Sequence, residues 1–67
     1  MNTIQLIRNE REPTEILLWN KEKQNGLLLT EVEMRQLGMM MMDIANNPEL
    51  TNLSMEVRDK IERWVKK

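Results

Sequence analysis

Residues 14–29, TEILLWNKEKQNGLLL, decide the fold. Read as a helix, the stretch has Pro13 near its first turn and Gly26 as a C-terminal glycine followed by apolar Leu27, a Schellman pattern. The apolar residues argue against that reading. Ile16, Leu17, Leu18 and Trp19 are contiguous, and residues 20–25 add no apolar side chain at helical spacing. Such a helix would have an apolar first turn and a wholly polar second half. Read as strands, residues 14–19 pair with residues 3–8, and a loop ending in Asn25-Gly26 leads to residues 27–29. We take the strand reading. An all-α three-helix bundle is the alternative, because short apolar runs are not assigned by period alone.

Outward toward the N-terminus, TIQLIR (3–8) alternates Ile4 and Leu6 against Thr3 and Gln5, and NEREP (9–13) is a polar connector. Toward the C-terminus, Thr30 and Glu33 are spaced as a capping box, with Leu29 and Met34 placed for a hydrophobic staple. Glu31 and Glu33 put negative charge at the positive end of the helix dipole. Asn46, Asn47 and Pro48 mark the far end, since proline cannot continue the hydrogen-bond ladder. These signals predict a helix over 31–46.

At about 100° per residue, Met34, Leu37, Met41, Ile44 and Ala45 share one face of that helix, expected to be the core stripe. Met40 and Gly38 flank it, and Gly38 is expected where another backbone comes close, since glycine costs about 1 kcal/mol against alanine inside a helix. Four consecutive methionines, Met39 to Met42, sweep the whole circumference. The outer face therefore carries Val32, Arg35, Met39 and Met42, with Asn46 below them. Methionine is flexible and polarizable and adapts to an irregular partner. Val32, Arg35, Met39 and Met42 are the candidate partner-binding residues.

Residues 47–50, NPEL, read as one short turn with Pro48 at its first position. Ser54 then reads as the cap of a final helix over 54–66, with Leu53, Val57, Ile61 and Trp64 on one face. Glu56–Lys60, Asp59–Arg63 and Glu62–Lys66 are acid-first i,i+4 pairs on its solvated side. The expected fold is α+β: a small antiparallel β-meander (about 3–8, 14–19, 27–29) packed on two helices (about 31–46 and 54–66), forming a single small domain over 1–67.

Composition narrows the function. A 67-residue chain without cysteine is marginally stable alone, so self-association, with a homodimer as its simplest form, is expected to contribute. Ten basic against eleven acidic residues give a net charge of −1, unlike a strongly basic nucleic-acid binder. No apolar run approaches the ~20 residues that span a bilayer, and MNTIQLIRNERE lacks a signal-peptide pattern. A cytoplasmic location without membrane attachment is expected.

Chemistry finds little footing. There is no His or Cys to activate a nucleophile or complete a metal site, Ser54 and Thr30 are accounted for as caps, and Gly26 and Gly38 form no phosphate loop. We expect no enzyme activity, catalytic residue, cofactor, metal or small-molecule substrate. The leading expectation is a small protein–protein interaction module, a regulator or inhibitor that binds a partner protein and also itself, the self-association running through the outer face of the Met-rich helix. The alternative is a small DNA-binding transcriptional regulator using Arg58, Lys60, Arg63 and Lys66, although Glu56, Asp59 and Glu62 interleave with these and weaken phosphate attraction.

Overall fold

The computed structural model describes residues 1–58. Strands β1 (Ile4–Arg8), β2 (Glu15–Asn20) and β3 (Asn25–Thr30) form an antiparallel meander in the order β1-β2-β3, followed directly by helix α1 (Glu31–Asn46). The architecture is α+β, and the three-helix alternative is set aside because residues 15–20 and 25–30 are strands. Leu6 pairs with Leu18 and Ile7 with Leu17, while Ile16 pairs with Leu29 and Leu17 with Leu28.

That register explains the contiguous apolar run in β2. Successive residues of a strand point to opposite faces, and both Ile16 and Leu17 are buried. Ile16 and its partner Leu29 lie on the face that carries the helix, whereas Leu17 and Leu28 lie on the other. A strand covered on both faces reads as an unbroken apolar run instead of an alternation. These four side chains are the buried apolar core of the described residues.

The two connections are held by local polar groups. After β1, the Asn9 side chain accepts from the Arg11 backbone N–H at 3.0 Å and donates to Glu15 Oε1 at 2.9 Å, which satisfies a buried amide. Pro13 occupies the second position of a turn closed by the Glu15 N–H on the Glu12 carbonyl at 2.8 Å. After β2, the Asn20 side chain accepts from the Lys23 N–H at 3.1 Å, and Gln24 reverses the chain with a left-handed φ of 55°.

Gly26 corrects the sequence reading. It is neither a helix C-terminal glycine nor part of the reversal, but a residue of β3 opposite Trp19. A Cβ there would stand 2.0 Å from the Leu18 carbonyl oxygen, so the close approach of two backbones excludes any side chain.

Helix α1 begins as its caps dictate. The Thr30 hydroxyl accepts from the Glu33 N–H at 3.1 Å, and the Glu33 carboxylate accepts from the Thr30 N–H at 2.8 Å. At the other end the Asn47 backbone and side chain both donate to the Asp43 carbonyl, at 3.1 and 2.9 Å. Residues 47–50 form the expected turn, closed by the Leu50 N–H on the Asn47 carbonyl at 2.9 Å. Residues 51–58 carry no regular structure, so no helix starts at Ser54. The remainder of the helix expected over 54–66 lies outside the described residues. The Arg58 N–H donates to Glu33 Oε2 at 3.1 Å, which brings the chain back to the first turn of α1.

Candidate protein-contact surface

Helix α1 packs on β3 and β2 and, among the described residues, leaves Ile4 and Leu6 of β1 open to solvent. On the helix-bearing face of the sheet, Ile4 is 60% exposed and Leu6 65%. The space over β1 is a groove of about 450 Å3. Ile4, Leu6, Leu18 and Leu29 floor it, and Met34, Leu37, Gly38 and Met41 wall it. Every lining side chain is apolar. Among the described residues the groove presents no polar side chain to orient a polar ligand, and pockets for small molecules ordinarily present a few such groups.

The core stripe expected on the helix is only partly covered. Met34 and Leu37 are half-buried, whereas Met41 is 54% exposed and Ile44 and Ala45 also face solvent; no residue of α1 is fully buried. The helix contributes its N-terminal turns to the core and overhangs beyond them. Gly38 is a second correction: a Cβ there would meet nothing within 4 Å, so no described backbone approaches it. Gly38 deepens the groove wall instead.

Val32, Met39 and Met42 lie on the outer side of the helix and are 67%, 67% and 62% exposed. Arg35 is exposed beside them, its guanidinium 3.6 Å from the Glu31 carboxylate. Arg8 reaches the same carboxylate from β1 at 4.0 Å and donates to the Pro13 carbonyl at 2.5 Å. Two arginines thus flank one glutamate at the start of α1. The four candidate residues thus share one side of α1, and none of them is among the residues lining the groove.

Ile4 and Leu6 floor the groove and are not among the candidates, since an alternating pair in a strand signals a core-facing side. The signal was correct about the face. It could not say that the helix stops one strand short. Of the residues proposed for nucleic acid, Arg58 is exposed at the first turn of α1, and Lys60, Arg63 and Lys66 lie outside the described residues.

Among the described residues two carboxylates are perturbed. Glu33 is held below the usual glutamate value chiefly by the Thr30 backbone N–H, against a smaller opposing desolvation, with the Arg58 N–H adding to it. Glu22 is likewise lowered, first by the Thr3 backbone N–H that it accepts. Both serve as acceptors for main-chain groups, a structural role. Among the described residues no group of three or more acidic, His or Cys side chains is placed to hold a metal ion, and no helix is long and apolar enough to cross a membrane.

Comparison of the chain with protein-family models, with curated proteins and with solved structures finds no match.

Proposed function

We propose that the protein is a small cytosolic interaction module, a regulator or inhibitor without catalytic activity, that acts by binding a partner protein. The observation that carries the reading is a 16-residue helix with no fully buried side chain although nine of its residues are apolar. Isolated exposed apolar residues are ordinary, but neighbouring ones in a connected patch mark contact surfaces. Val32, Met39 and Met42 supply the adaptable apolar part of the surface, and Arg35 supplies a charged rim of the kind enriched at interfaces.

The test is affinity capture from native extract with the wild-type chain and with a Met39→Glu/Met42→Lys variant, after circular dichroism has shown both to be folded. A specific partner retained by the wild type and lost by the variant supports the reading. Equal capture by both, or unfolding of the variant, overturns the assignment of this face.

A further inference from the structure

The hydrogen-bond pattern of β1 shows which of its backbone groups are used. The Lys21 N–H donates to the Thr3 carbonyl at 2.9 Å and the Asn9 N–H to the Glu15 carbonyl at 3.0 Å. Directly opposed residues of an antiparallel pair alternate between hydrogen-bonded and non-bonded. In this register Thr3, Gln5, Ile7 and Asn9 therefore turn their main-chain groups toward β2. Ile4, Leu6 and Arg8 turn theirs outward, along the edge of the sheet that no other described strand pairs with. The same three residues place their side chains on the groove side.

Natural sheets blunt such an edge with lysine, proline or a bulge. β1, IQLIR, has no lysine or proline, and its pairing with β2 is continuous. Arg8, its one charge, is folded back onto Glu31 and the Pro13 carbonyl.

We propose that two copies of the chain associate by antiparallel pairing of their β1 edges about a two-fold axis at Leu6. The outward-turned residues are self-complementary in this register. Leu6 meets the other copy's Leu6, and Ile4 meets its Arg8, so each outward N–H and C=O finds a partner. The product is a six-stranded sheet with both helices on one face. The two Arg8 residues stand about 14 Å apart along the strands, beyond the screening length of roughly 8–10 Å, so like charges are not opposed.

The occupant is set by the edge itself: a second copy of β1 offers the same outward N–H and C=O groups in reverse order, beside the same exposed Ile4 and Leu6. The two grooves join across the two-fold axis, and the outer surfaces carrying Met39 remain free. The pairing does not depend on the partner-binding role proposed for that outer face.

Sedimentation across a concentration series, with residue-resolved amide exchange, tests the arrangement. The wild type is expected to be a dimer whose Leu6 amide becomes more protected as concentration rises. Leu6→Pro removes an N–H that β2 does not use, and Leu6→Lys places a charge at the two-fold axis without touching the backbone. Each is expected to be monomeric with an unchanged circular dichroism spectrum. Met39→Glu/Met42→Lys is expected to remain dimeric. A wild type that stays monomeric at the highest concentration overturns the proposal, as does a folded Leu6→Lys chain that still dimerises. Loss of the dimer in the methionine variant alone would move the interface to the helix and also overturn it.

Discussion

A methyl group added at Gly26 would stand 2.0 Å from the Leu18 carbonyl oxygen, while one added at Gly38 would meet nothing within 4 Å among the described residues. The two glycines therefore respond to alanine with opposite signs. Gly26→Ala forces apart two paired backbones and should lower unfolding free energy by about 1–3 kcal/mol, the usual cost of overpacking. Gly38→Ala fills empty space in a helix and should raise it by about 1 kcal/mol. Urea denaturation of the two variants checks both. Neither assignment was legible in the sequence. Asn25-Gly26 is a strong reversal signal, yet the left-handed residue is Gln24, one position before the pair. A helical glycine is equally compatible with a close contact and with an open groove wall.

At the scale of the elements, local chemistry made α1 readable to the residue. Its start is fixed by Thr30 and Glu33 acting on each other's backbone, and its end by Asn47 and Pro48, all within a few positions of the boundaries they set. The strands were readable for a different reason. Contiguous Ile16 to Trp19 cannot form one helical stripe, and the chain resolves this by burying both faces of β2. The capping box also carries a pH dependence. Because the folded pKa of Glu33 is depressed, its contribution to stability is present above the usual glutamate value of about 4.3 and is lost as pH falls through the lower folded value. Glu22 acts in the same direction. Glu33→Gln should therefore be less stable than wild type at neutral pH, with the difference shrinking below about pH 4. Thermal melts across pH 2–7 would show it. A difference that persists at the acid end would mean that the carboxylate charge is not what holds the cap.

For the molecule as a whole, the hydrophobic pattern named the faces of the elements but not how far each reaches. Helix α1 covers two strands of three, so Ile4 and Leu6 face the correct side and stay exposed. The C-terminal half of the apolar stripe, expected to be core, overhangs the sheet. Placement of one layer over another is set by tertiary packing, and a single period in a sequence does not encode it. The outer set Val32, Arg35, Met39 and Met42 was legible because four consecutive methionines cannot all turn inward. The central claim is this sidedness of the methionine helix. Methyl NMR of the seven methionines with a soluble paramagnetic probe tests it directly, in dilute protein. Strong attenuation of Met39 and Met42, with Met34 and Met40 spared, is the predicted result. Protection of Met39 and Met42 in the dilute sample would contradict it.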